Sequence, residues 1–262
     1  MKKISLNDKF ALFEVCERLP GQVSAGMAKR FDPASRGYAI CTSGRSGSNL
    51  LCQYLSSTGM LGNPLEYFNG SGRRLLGYPE YPDEPSRQID WILTEGATPN
   101  RIYGLKVFPA QVELVEKSIR WAELLPGLKF VLLKRRDILG QALSAVRALQ
   151  TEQWRASMPA RGPAKYDGAQ IYERLLFAAR DYAWWDIFFA RQAVAPTVIV
   201  YEDLLADPQA PVDQVADLFG LRGYARVASE RIDLTMQRDA TTEEWRARFL
   251  AEYRDRDALD PL

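Results

Sequence analysis

Ser43-Gly44-Arg45-Ser46-Gly47-Ser48-Asn49 lies between an apolar run, Tyr38 to Thr42, and a segment of helical period that begins at Ser48. A loop of small residues between a strand and a helix start gathers backbone N–H groups, side-chain donors and the positive end of a helix dipole around one point, which is chemistry for holding an anion. Gly44 and Gly47 let the backbone turn its N–H groups inward, while Ser43, Ser46, Ser48 and Asn49 add side-chain donors. A nucleotide P-loop ends in Gly-Lys-Ser/Thr, where lysine reaches the terminal phosphates and the hydroxyl holds magnesium. Here Gly47 is followed by Ser48 and Asn49, and the positive charge sits in Arg45, whose planar fork suits a tetrahedral oxyanion. No metal is required by this pattern. The same residues also read as a capped helix start after a glycine turn.

A second cationic group follows the apolar run Lys129 to Leu133, where Lys134-Arg135-Arg136-Asp137 leads into a helix-period segment carrying Ser144. Arg136 and Ser144 can converge on one phosphate from a single strand–helix unit. Alternatively Arg135 and Arg136 are solvated edge charges and Asp137 is only a helix cap.

Proton chemistry is narrowed by the absence of histidine. Ser-His-Asp hydrolysis, Cys-His proteolysis and histidine general bases are excluded, leaving a carboxylate, Lys, Tyr or Cys. Glu66 in Gly62-Asn63-Pro64-Leu65-Glu66-Tyr67-Phe68 is the carboxylate considered, although Asn63, Pro64 and Glu66 also fit a capping box with Pro at the first helical position. Lys106, at the end of the run Ile102 to Val107, reads as a third cation near the anion or as an ordinary strand-end lysine.

The elements that must position these groups alternate. Strands are expected at Tyr38–Thr42, Ile102–Val107, Lys129–Leu133 and Thr197–Val200, with helices at Ser48–Ser57, Ala110–Leu124, Ile138–Thr151, Gln170–Arg191 and Pro211–Phe219. Strand–helix alternation gives an α/β fold, a central parallel β-sheet flanked by helices. Ile171, Leu175, Ala178, Tyr182, Trp185 and Phe189 share one helix face and read as core. Gly70–Arg87 and Gln153–Gly168 read as loops that wall the site. Aromatic residues there and nearby, Tyr67, Phe68, Tyr78 and Trp154, would suit stacking on sugars or simple packing. Tyr201-Glu202-Asp203 reads as closing the last strand, and Thr242, Glu243 and Glu244 as a helix start.

Residues 1–36 read as an N-terminal helical extension and 37–262 as one domain. Lys plus Arg (34) nearly balances Asp plus Glu (33), so no global basic excess points to nucleic acid. Three scattered cysteines, Cys16, Cys41 and Cys52, and the lack of a signal-peptide or membrane-spanning run set the expectation of a cytoplasmic protein.

Four segments in order, Ser43 to Leu51, Gly62 to Phe68, Tyr201 to Leu205 and Gln237 to Trp245, make the chain similar to the bacterial Stf0-type sulfotransferases. The resemblance spans about Gly37 to Phe249 and implies a P-loop NTPase-like sulfotransferase fold. It further implies transfer of a sulfonate from 3′-phosphoadenosine-5′-phosphosulfate (PAPS) to a hydroxyl of a carbohydrate or glycolipid, trehalose-like or of lipopolysaccharide type, with adenosine-3′,5′-bisphosphate (PAP) as product. On that reading Arg45, Ser48 and the loop amides hold the 5′-phosphosulfate, and Arg136 and Ser144 hold the 3′-phosphate. Gln237 and Arg238 touch the nucleotide on the same side, Lys106 stands near the sulfonate, and Glu66 is the general base, its pKa raised by Tyr67 and Phe68. A homodimer is compatible with the family, though no segment carries an interface signature. The rival classes are a P-loop-like kinase or NTPase and a non-catalytic nucleotide-binding protein.

Overall fold

The computed structural model of the chain describes residues 35–154, 159–232 and 240–254. The extension expected over 1–36 therefore lies almost wholly outside the described residues, as do Gln237 and Arg238. From Ser35 onward the elements are β1 (Arg36–Cys41), α1 (Ser48–Ser57), α2 (Gly70–Leu75), α3 (Pro85–Thr94), β2 (Ile102–Val107), α4 (Pro109–Val115) and α5 (Trp121–Leu124). They continue as β3 (Leu128–Lys134), α6 (Ile138–Thr151), α7 (Gly168–Gln192), β4 (Thr197–Val200), α8 (Tyr201–Ala206), α9 (Gln209–Asp217), a 3₁₀ turn (Ser229–Arg231) and α10 (Ala240–Tyr253).

The four strands form one parallel sheet in the order β2-β1-β3-β4. A strand buried on both faces must be apolar at successive positions, and β1 and β2 are buried along almost their whole length. β1 is central: Ile40 pairs with Lys106 on one side and with Val131 on the other. Chain order reverses across β1, so the crevice beyond its carboxyl end is where ligands collect in open α/β sheets. The Trp185 indole of α7 donates to the carbonyl of Thr42 at 2.9 Å, fixing that crevice against the long helix.

The expected stripe of α7 packs as predicted, with Ile171, Ala178, Tyr182, Trp185 and Phe189 buried and Leu175 partly so. A smaller cluster joins α6, α7 and α10 through Leu143, Val146, Ile171, Trp245 and Phe249.

Several expectations are corrected. The single helix over Ala110–Leu124 is two, α4 and α5, because the chain turns after Val115 and brings Trp121 into the core. The stretch Gly70–Arg87 is not a loop throughout: Asn69 caps α2 by accepting from the Gly72 N–H, and Pro85 opens α3. Tyr201-Glu202-Asp203 opens α8 instead of closing β4. No helix starts at Asn63, so the capping box is absent. Gly62, at φ 71°, turns the chain instead, and Leu65 pairs in parallel with Leu105 of β2.

Candidate active site

The loop after β1 is tied down by its own hydroxyls and by α6. Thr42 Oγ1 donates to the Leu133 carbonyl at 3.0 Å and shares a 2.7 Å hydrogen bond with Ser46 Oγ, so Ser46 braces the loop. Gln141 Nε2 donates to the Gly44 carbonyl at 2.6 Å, while its Oε1 accepts from the Tyr182 hydroxyl at 3.0 Å. Burial outweighs that hydroxyl's polar partners and pushes its pKa up to about 12, so Tyr182 stays a neutral link. Gly47 stands at φ 89°, and a Cβ there would lie 2.1 Å from the Tyr201 ring.

The result is a cradle. α1 starts at Ser48 with no side-chain cap on its first N–H groups, and Ser43 Oγ is buried with no hydrogen-bond partner. Both features suit an anion at the helix start. Arg45 takes a left-handed backbone, φ 60°, and reaches across to α6, donating from Nε to Ser144 Oγ at 3.0 Å and from Nη1 to the Trp154 carbonyl at 2.7 Å.

Beside the cradle lies a buried ion pair. Lys106 Nζ is 2.8 Å from Glu66 Oε1 and donates to Asn49 Oδ1 at 2.7 Å. Both charged side chains are almost wholly enclosed, at 0% and 3% exposure. The Leu65–Leu105 bridge and the hydrogen bond from the Lys106 N–H to the Leu65 carbonyl set Glu66 alongside the strand end. Desolvation of Glu66 is thus accompanied by a cation and by amide donors from Asn69 and Gln111. Tyr67 is fully enclosed, Phe68 and Trp154 nearly so, and they pack within the protein instead of presenting open faces.

At the end of β3 the two arginines part. Arg135 is 10% exposed, donates from Nη1 to the Arg45 carbonyl at 3.2 Å and stacks 4.9 Å from the Tyr201 ring centroid. Arg136 is 62% exposed and pairs with Asp203 at 2.7 Å. The guanidinium facing the loop is therefore that of Arg135, while Arg136 lies at the open edge of the same strand end. The backbone between them is held by Glu202, whose carboxylate accepts the N–H groups of both Arg136 and Asp137 at 3.0 Å, with the Arg136 side chain facing outward. Asp137 caps α6 through the Gly140 N–H and receives a bidentate Arg246 from α10 at 2.6 and 3.1 Å.

Among the described residues no cluster of metal-ligating side chains occurs, and no helix is long and apolar enough to cross a membrane. The family profile described as Stf0 sulphotransferase matches residues 37–252. The chain belongs to the Stf0 sulphotransferase family. As a member it is a sulfotransferase, and its curated relatives include the trehalose 2-sulfotransferases of Mycobacterium tuberculosis and Mycolicibacterium smegmatis. The first is 30% identical over 84% of this chain and 96% of its own length, the second 28% identical over 81% and 93%. Among solved structures, a sulfotransferase from Alicyclobacillus acidocaldarius has 17% identity and a TM-score of 0.47 over 84% of this chain and 92% of its own. A retinol dehydratase in a complex with retinol and PAP has 14% and 0.42 over 88% and 84%.

In this Stf0 sulfotransferase the structure gathers Ser43 to Asn49, Ser144, Lys106 and Glu66 around the carboxyl ends of β1 and β2. Sequence reasoning missed Gln141, Asn69, Gln111 and Arg246, and read Glu202 only as part of a segment closing the last strand. Only Asn69 carried a local signal, an Asn three residues before a glycine at a helix start.

Proposed function

We propose that this sulfotransferase uses PAPS as donor and transfers its sulfonate to a hydroxyl of a carbohydrate or glycolipid, with a trehalose-like sugar as the first acceptor to test. The observation that carries the reading is Lys106, which touches both Asn49 of the anion loop and the Glu66 carboxylate. An anion cradle alone would serve a binding protein. A cradle joined through one ammonium to a buried carboxylate, in a chain without histidine, is suited to moving a group onto a hydroxyl.

The chain's own residues divide the work. The amides at the start of α1, with Ser43, Ser48 and Asn49, would hold the 5′-phosphosulfate. Ser144 and Arg136 would take the 3′-phosphate, with Arg135 facing the loop beside them, and Arg45, already bonded to Ser144, would span the two anion sites. Glu66 would accept the acceptor's proton, and Lys106 would stabilise negative charge beside it. PAPS supplies the activated sulfonate, so no metal is called for. The two trehalose 2-sulfotransferases among the relatives support a sugar acceptor.

Calorimetric titration with PAP, run beside ADP with magnesium, tests the donor site in wild type, Arg135→Ala and Arg136→Ala. PAP should bind without metal and in preference to ADP, and Arg136→Ala should remove most of that preference, with Arg135→Ala reading what the inward guanidinium adds. Turnover of PAPS with trehalose and a panel of other sugars then tests the acceptor. Preference for ADP with magnesium would overturn the donor assignment, and transfer to no sugar would overturn the acceptor class.

A further inference from the structure

The two oxygens of Glu66 are not equivalent. Asn69 Nδ2 donates to Oε2 at 3.0 Å and Gln111 Nε2 donates to the same oxygen at 3.3 Å. Each amide is itself pinned at its other end: Asn69 Oδ1 accepts the Gly72 N–H at 3.0 Å, and Gln111 Oε1 accepts the Phe108 N–H at 3.2 Å. A backbone N–H can only donate, so each amide must turn its oxygen to the backbone and its NH2 to Glu66. Neither side chain can flip without losing both contacts, and both are buried.

We propose that Asn69 and Gln111 are positioning residues that hold Oε2 and so make Oε1 the oxygen that takes the proton of the acceptor. The proposal rests on the reading of Glu66 as base. A carboxylate oxygen has two in-plane lone pairs, and at Oε2 two N–H donors occupy them. A proton arriving there would displace one donor from a buried amide, a costly loss. Oε1 instead faces Lys106, the charged group beside it, which also touches Asn49 of the anion loop. The ammonium has three donors on a rotatable head and can yield a place without losing its other partners.

The step then balances. As the acceptor oxygen bonds to sulfur and the sulfur–oxygen bond to the nucleotide breaks, the hydroxyl proton passes to Oε1 and PAP leaves with the electron pair. Neutralising Glu66 deprives Lys106 of its counter-charge just as negative charge grows on the departing phosphate. Lys106 is thereby available to that charge when it is needed.

Two variants separate holding the base from holding the fold. Asn69→Ser keeps a side-chain oxygen to cap α2 but is too short to reach Glu66, and Gln111→Met keeps length and loses the donor. Infrared spectra across pH, taken as the difference from Glu66→Gln in each background, follow conversion of the Glu66 carboxylate to the acid. Donors to the charged form favour it, so in both variants the conversion should move to higher pH while PAP affinity stays at the wild-type level. With PAPS and trehalose as probe acceptor, kcat should fall about tenfold, the worth of one hydrogen bond to a charged group, with little change in KM for PAPS. An unmoved conversion in both variants overturns the proposal and leaves the amides structural. Wild-type turnover by Glu66→Gln overturns the base reading itself, which the infrared comparison alone would not do.

Discussion

Arg45, in the loop after β1, donates from Nε to Ser144 Oγ on α6 at 3.0 Å, so the loop and Ser144, read from the sequence as parts of two separate anion sites, are joined by one contact. Cutting the link from either side should therefore cost nearly the same, and cutting both should cost little more. In PAP titrations of Arg45→Ala, Ser144→Ala and the double variant, a coupling of about 1–2 kcal/mol is expected. Strictly additive losses would mean that the contact is idle when nucleotide is bound.

Arg45 also holds a left-handed backbone, a conformation that costs a residue with a side chain roughly 1 kcal/mol. Arg45→Gly should consequently raise the unfolding temperature slightly while weakening PAP binding at least tenfold. Thermal melts beside titration check the opposed signs, and a variant that loses stability would show that the side-chain contacts outweigh the strain.

Gly47 admits no side chain, because φ is 89° and a Cβ would meet the Tyr201 ring at 2.1 Å. Gly47→Ala should destabilise by more than the ~1–2 kcal/mol of the backbone term alone and should weaken PAP binding. Urea unfolding of Gly47→Ala beside Gly44→Ala reads the difference. Equal, small losses at both positions would refute the Tyr201 contact as the cause.

Lys106 and Glu66 form a buried pair, and removal of one partner strands the other's charge. Lys106→Met should destabilise by about 3–5 kcal/mol, and Glu66→Gln added to it should recover part of that loss. Chemical unfolding of the two single variants and the double closes the cycle. A double variant no more stable than Lys106→Met would show that the ion pair is not what the lysine contributes.

Asp137 links α6 to α10 and gives the protein an acid-sensitive contact. Burial pushes its carboxyl up, but the hydrogen bond from Arg246, the Gly140 N–H and the charges of Arg246 and Arg135 outweigh burial and hold it below the usual carboxylate range. A depressed carboxyl contributes stability that is present above its unfolded value, 3.8, and is lost as pH falls through the lower folded one. Wild type should therefore exceed Arg246→Ala by a constant amount, about 1–2 kcal/mol, from pH 8 to about 5. The gap should close below about pH 4, and stability curves against pH for the two proteins measure it. A gap that persists unchanged in acid would assign the contribution of Arg246 to packing.

By itself the sequence determined the sheet, the loop and the family. Short apolar, β-branched runs specified β1, β2, β3 and β4 to within a residue or two at either end, and the spacing of Gly44 and Gly47 before a helical period specified the cradle. These are local signals, carried by a few consecutive residues. Tertiary structure alone decided between the capping box and the buried ion pair at Glu66, because the choice depends on Lys106, forty positions away in sequence but brought alongside by the Leu65–Leu105 pairing. It likewise decided which way Arg135 and Arg136 point, since a strand end can turn either neighbour toward the loop and the carboxylate that holds this backbone, Glu202, follows β4, more than sixty residues on in sequence. The polar holders Gln141 and Gln111 were illegible for the same reason, and Asn69 showed only its helix cap and not its bond to Glu66: an amide's role is set by which buried groups need partners, and those groups meet only when the chain has folded.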